Sequence, residues 1–353
     1  MLICERLPVA VKTGACIDIY HRAGQKQKDG KFREAERLYL KVIKLLPSGP
    51  PQPIHIQVHH RLGELYRVLG QYRKADVILG SALTLAKKVY GRAGVETCSL
   101  LNARAVLYKY QGRFSEAAKL YRRALNLLTT AHGPDHPDVA TIYHNLGGLE
   151  HARGRHAKGE PFARKSVALR KRALGANHPA VAADQAALAA LLSEQGKHSE
   201  AEGLLRRSLG IFQKAYGPEH YEVAVTLSNL GSLLCARGKL GQAERYHKRA
   251  LNMKEKLLGR NHVEVALTLN NLAVINKTQG RFDAAAQLYR RALSRLEKTL
   301  SPRHPNLIQC RKNYTALLEA RAMKKPKRSR LQGASVPVVS QSGQNFLPAN
   351  HAN

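Results

Sequence analysis

The sequence predicts an all-α protein made by stacking one helix hairpin many times. Three observations carry that prediction. A glycine followed by a basic or polar residue, and often an aromatic, recurs as Gly30, Gly70, Gly112, Gly154, Gly196, Gly238 and Gly280, spaced by 40 and then by 42 residues. A twelve-residue phrase returns on the same period: HPDVATIYHNLG at 136–147, HPAVAADQAALA at 178–189, HYEVAVTLSNLG at 220–231 and HVEVALTLNNLA at 262–273. The composition also favours helix. Trp is absent and Phe scarce, so Leu, Ala, Val and Tyr must form the core. A fixed period of this length marks a repeat architecture.

One unit justifies its two helices. In 226–257, TLSNLGSLLCARGKLGQAERYHKRALNMKEKL, Leu227, Leu230, Gly231 and Leu234 share one helical face. Gly238 then stops the helix, as a residue free to adopt the left-handed conformation does. A second stripe follows: Leu240, Ala243, Tyr246/His247, Ala250 and Leu251, closed by Gly259. Neither helix can bury its stripe alone, so the hairpins must stack. Small residues mark where the two helices cross: Gly63, Gly147, Gly231 and Ala273 on the first, and Ala75, Ala117, Ala201, Ala243 and Ala285 on the second.

The ends depart from the pattern. The first unit, 1–54, pairs a weak first helix around 9–28, with Arg22 at an expected core position, with a regular second helix and a stiff PSGPPQP connector at 47–53. Residues 55–322 form the regular array. It closes on HPNLIQCRKNYTALLEA at 304–320, a first helix without a following partner, which reads as a cap. The tail 323–353 opens on MKKPKRSR and is rich in Ser, Gln, Asn and Pro, a composition of disorder. Its basic run Lys324–Arg330 has the form of a nuclear import signal. Arg104 occupies a core Leu position in the third unit and puts the local geometry near Asn102 in question.

The net charge of +33 points to acidic partners, whether peptides, nucleic acid or an anionic surface. A basic pair recurs in the second helices: Arg122-Arg123, Arg164-Lys165, Arg206-Arg207, Lys248-Arg249 and Arg290-Arg291. It reads as a solvated ridge sooner than a nucleic-acid stripe, because no aromatic platform is interleaved. Five scattered cysteines with no CxxC read as reduced thiols of a cytoplasmic protein. No run approaches the ~18 apolar residues of a membrane span, and the start lacks a signal-peptide pattern. Histidines 136, 178, 220, 262 and 304 recur at the repeat period, which places them in successive loops and not around a metal. No phosphate-loop, zinc-protease, hydrolase or dinucleotide motif occurs, so neither enzyme activity nor a cofactor is expected.

The phrase HPxVAxxxxNLxxL, a later Gly and then AExxxxRAL resemble the tetratricopeptide (TPR) repeat in its 42-residue kinesin light chain and nephrocystin-3 form. The resemblance covers roughly 55–320 and includes Pro161 inside a second helix. No heptad segment precedes residue 30, so the chain does not read as a kinesin light chain proper. The resemblance implies a right-handed superhelical solenoid of about seven hairpins plus the C-terminal cap helix. It also implies a concave groove lined by the first helices. Nine places before each glycine, that groove would present Asn145, Asn229 and Asn271, with Asn313 equivalent in the cap. Asn270, His144, His151, Lys109, Lys277 and Arg67 flank them.

Amides of this kind offer two donors and an acceptor, and can hold the backbone of an extended peptide. The basic flanks favour a partner bearing Asp or Glu. The expected function is a non-catalytic scaffold or adaptor for such a peptide. A basic solenoid for nucleic acid or an anionic surface, and a sensor subunit of a catalytic partner, are the alternatives. The alternative for the amides is bonding across to a neighbouring repeat.

Overall fold

The computed structural model describes residues 9–28, 31–46, 49–91, 94–300, 302 and 304–324. Gly30, part of the 47–53 connector and the tail beyond Lys324 lie outside these residues, as do the calls made on them. Fifteen α-helices and no strand occur among the described residues. They are α1 (Val9–Lys28), α2 (Phe32–Leu45), α3 (Pro53–Val68), α4 (Tyr72–Tyr90), α5 (Cys98–Tyr110), α6 (Phe114–His132), α7 (Pro137–Ala152) and α8 (His156–Leu174). Then follow α9 (Pro179–Glu194), α10 (His198–Tyr216), α11 (Tyr221–Ala236), α12 (Leu240–Leu258), α13 (Val263–Thr278), α14 (Phe282–Thr299) and α15 (Pro305–Lys324). Consecutive helices pack as hairpins in α1–α2, α3–α4, α7–α8, α9–α10, α11–α12 and α13–α14, and α15 packs on α14. The chain is an all-α repeat solenoid.

Two compact units divide it. The first comprises Met1–Tyr108 and Ser115–Pro134. Its core gathers Tyr39, Leu62, Leu65, Leu79 and Leu107, all buried. The anticipated defect at Arg22 is absorbed by rotation: Arg22 stands exposed and Ala23 is fully buried in its place. Arg104 leaves α5 intact as well. It reaches sideways to Asp76 at 3.2 Å and covers the Tyr108 ring at 5.2 Å.

The second unit comprises Lys109–Phe114 and Asp135–Asn353 and holds α7 to α15. Its hairpins turn on glycines with positive φ, such as Gly238 at +74°, and its second helices end on another series, such as Gly259 at +82°. A side chain in that backbone region would be strained. The small residues expected at the crossings are there. Ala201, Ala243, Ala250, Ala285 and Ala292 are all fully buried.

The recurring histidines cap helices. The Nδ1 atoms of His136, His178, His220, His262 and His304 accept from the backbone N–H two residues on, at 3.1–3.3 Å. Each satisfies one of the four N–H groups that a helix start leaves open. Among the described residues no group of His, Cys, Asp and Glu is placed to hold a metal.

Candidate functional site

The first helices of the second unit are buried on nearly every side. Almost the whole of α13, from Val263 to Asn276, is out of solvent, and most of α9 and α11 is too. Polar residues share that fate. Asn145, Asn270 and Asn271 are 0% exposed, His144 and Asn313 2%, His151 4% and Asn229 9%. Lys109 is 2% exposed, with its ammonium over the Tyr110 ring at 5.3 Å. Lys277 is half-buried, and burial lowers its ammonium pKa against the opposing charge of Glu319. Arg67, 6% exposed, belongs to the first unit. The sequence reading expected an open wall. Here these side chains are enclosed, because the residues beside them are themselves apolar or paired.

Three of the expected amides come together. Asn313 Nδ2 on α15 donates to Asn270 Oδ1 on α13 at 3.3 Å. Asn270 Nδ2 donates to Asn271 Oδ1, also at 3.3 Å, and Gln309 Nε2 to Asn313 Oδ1 at 3.0 Å. This is the bonding between neighbouring repeats that the sequence left as an alternative. The chain of amides ends unsatisfied, since Asn271 Nδ2 is buried with no hydrogen-bond partner. Ser228 Oγ on α11 and Gln185 Oε1 on α9 are in the same state. Asn145 and Asn229 lie on α7 and α11.

The basic character of the wall is largely consumed internally. His144 Nδ1 stands 2.6 Å from Asp184, and Arg170 Nε donates to the other Asp184 oxygen at 2.7 Å. Burial opposes the charge on Asp184, but the His144 and Arg170 contacts outweigh it and hold the carboxyl below its usual range. Burial pushes His151 down to about 3, so its ring is neutral at physiological pH. Sequence reasoning missed Asp184 and Gln309. The signal for Asp184 was its place inside the apolar run VAADQAALAA.

The recurring basic pairs are exposed, as expected of a solvated ridge. The first members of three of them, Arg164, Arg206 and Lys248, are tied down. Glu160 takes Arg164 and Lys197, both at 2.8 Å. Glu202 takes Arg206 and Arg237, and Glu244 takes Lys248 at 2.8 Å and Arg281 at 2.6 Å. Each glutamate thus bridges its own second helix to the turn of the next hairpin. Exposed pairs of this kind contribute ~0.2–1 kcal/mol each.

A family model of the tetratricopeptide repeat matches residues 54–130, 96–158, 138–214, 188–256, 222–298 and 264–325. No curated protein sequence matches the chain. Among solved structures, a Rap protein complexed with Competence and Sporulation Factor superposes with a TM-score of 0.61 at 14% identity, over 88% of this chain and 87% of that one. BtubC (BKLC) from P. vanneervenii gives 0.44 at 21% identity, over 80% of this chain and 98% of that one. A set of nearly identical TPR-like repeats assigned to a kinesin light chain from Podosopora anserina gives 0.44 at 23% identity, over 56% and 95%. Among the described residues no helix is long and apolar enough to cross a membrane.

Proposed function

From the premise that the chain belongs to the tetratricopeptide repeat family, we propose that it is a non-catalytic scaffold holding an extended peptide along its first helices. The observation that carries this reading is Asn271 Nδ2, buried at the end of an amide chain with no partner. A buried donor left unpaired costs ~1–3 kcal/mol. A peptide carbonyl accepting from it removes that cost; on neighbouring first helices Gln185 Oε1 can accept from a peptide N–H, and Ser228 Oγ can donate or accept. Asn145, Asn229 and Asn313 extend the row.

Because these groups are enclosed, entry requires the first helices to part, and amides now bonded to each other exchange partners for the peptide backbone. Lys109 and Lys277 add a preference for acidic side chains at its margins. The setting is the cytoplasm, where the free thiols of Cys16, Cys98, Cys235 and Cys310 stay reduced.

Panning a random peptide library on the full chain tests the proposal. Peptides rich in Asp and Glu should be recovered by the wild type and lost with Asn145→Ala/Asn229→Ala/Asn271→Ala, provided its thermal unfolding remains cooperative. Retention of every peptide by a folded triple variant rules the amide row out.

A further inference from the structure

Outside the first helices, one place in the second unit breaks the charge pattern of the repeat. Pro218 and Glu219 from the loop before α11, Arg249, Asn252 and Lys256 on α12, and Arg260 from the loop after it line a concave opening of about 680 Å³. Glu255 completes the wall. Arg291 Nη2 on α14 approaches Glu255 at 3.6 Å. Arg295 stands one turn further along α14 and donates to the Arg291 carbonyl at 3.3 Å. Burial first, then the like charges of Arg291 and Arg260, push its guanidinium below its ordinary pKa, with Glu255 opposing.

One of these charges, Arg295, has no precedent in the repeat, and Arg260 is matched by Arg92 four repeats back. Arg260 stands where the three preceding hairpin loops carry Pro134, Ala176 and Pro218. Arg295 stands where the preceding second helices carry Leu127, Leu169, Ile211 and Met253.

A third charge has lost its partner. One repeat earlier, Arg207 donates to Asn177 at 3.4 Å. The matching residues here are Arg249 and Glu219, but Glu219 is taken by Lys256 at 3.2 Å. Neither Arg249 nor Arg260 has a carboxylate within ion-pair distance among the described residues. Arg249, Lys256 and Arg260 therefore line the opening with Glu219 and Glu255, and Arg291 and Arg295 on α14 add further positive charge beside Glu255. Clustered like charges are unfavourable unless an anion joins them, and planar guanidinium forks match the paired oxygens of phosphate.

We propose that this opening beside α12, between the loops that lead into α11 and α13, binds a compact phosphate-bearing anion. The site spans one step of the array, and the first members of the basic pairs on α8, α10 and α12 are held by glutamates. A long nucleic-acid backbone would find no continuous track. The phosphate is carried either by a free polyphosphate or by a phosphorylated side chain.

Calorimetric titration of the full chain with inorganic tripolyphosphate, and with a short phosphoserine peptide, at about 0.15 M salt tests the site. The key variant is Arg260→Pro/Arg295→Met, which restores residues that other repeats carry. Saturable binding of one equivalent, weakened at least about tenfold in that variant, supports the site. The charge-matched control Lys119→Gln/Arg122→Gln on α6 should leave it unchanged. Whichever of the two probes binds tighter identifies the source of the phosphate. No saturation below about 10 mM of either probe, or equal loss in both variants, overturns the proposal. So does a random single-stranded DNA that binds more tightly than both probes with the same variant dependence.

Discussion

A Cβ built on Gly231 would stand 2.8 Å from the imidazole of His247. Glycine therefore lets α11 and α12 approach until the ring lies against the backbone. The ring fills a position that Tyr39, Tyr121 and Tyr289 occupy in other repeats, and that Leu79 fills against Gly63. It is 0% exposed, and neither nitrogen has a hydrogen-bond partner. Burial pushes His247 from 6.5 to about 3.

A depressed histidine contributes stability that is fully present above its unfolded value and falls away as pH drops towards the folded one. At pH 5 the loss is about 2 kcal/mol for this ring alone. Leucine removes both the orphaned nitrogens and the titration. His247→Leu should gain ~1–3 kcal/mol near neutral pH, and more at pH 5. His151 and His304, depressed to about 3 and about 4, retain part of the acid slope. Urea unfolding at both pH values checks this, and an unchanged slope in the variant would refute it.

The same contact predicts opposite outcomes for two Gly→Ala changes. At Gly231 a methyl group meets the imidazole, and overpacking of this kind costs ~1–3 kcal/mol. Gly210, in the middle of α10, has nothing within 4 Å of its added Cβ and no positive φ. There alanine should stabilise by ~0.4–1 kcal/mol through the unfolded chain. Thermal melts of the two variants must move in opposite directions.

How much of this was legible from sequence depends on the kind of residue. The crossing glycines and alanines were readable because they recur at fixed spacing and size alone dictates their use. Gly238 and its series were readable for the same reason. The amide row was only half readable. Counting back from Gly280 finds Asn271, but spacing cannot tell whether its amide faces solvent or the amide of Asn270. The periodic histidines were assigned correctly to loops, yet their capping role is a hydrogen bond and not a spacing. Asp184 escaped because its partners, His144 and Arg170, lie in the preceding hairpin. No window on the sequence puts the three together.

Arg170 and Asp184 make a second prediction about the core. Arg170 takes the place that Leu128, Phe212 and Leu296 hold in other repeats, and Asp184 the place of Ile142. Both are buried, at 5% and 1% exposure. Removing one partner leaves an uncompensated buried charge, so Asp184→Ala should cost ~3–5 kcal/mol. Replacing the pair with the residues of the preceding repeat, Arg170→Leu/Asp184→Ile, should recover most of that. Buried ion pairs gain little over well-packed apolar groups. Chemical denaturation of the single and double variants measures the coupling. Additive losses would show that the two side chains do not act as a pair.

The capping histidines give a prediction that separates geometry from burial. His178 Nδ1 accepts from Ala180 N–H at 3.1 Å, at the entry to α9. A ring nitrogen reaches a helix N–H from this position much as an Asn side-chain oxygen does. If the bond matters, His178→Ala should lose ~0.5–2 kcal/mol, whereas His178→Asn should lose a few tenths at most. Hydrogen exchange should quicken in the first turn of α9 for the alanine variant only. The contrast comes from the acceptor atom, because alanine and asparagine both remove the imidazole and its packing. Equal losses in the two variants would assign the histidine to packing in the loop and dismiss the cap.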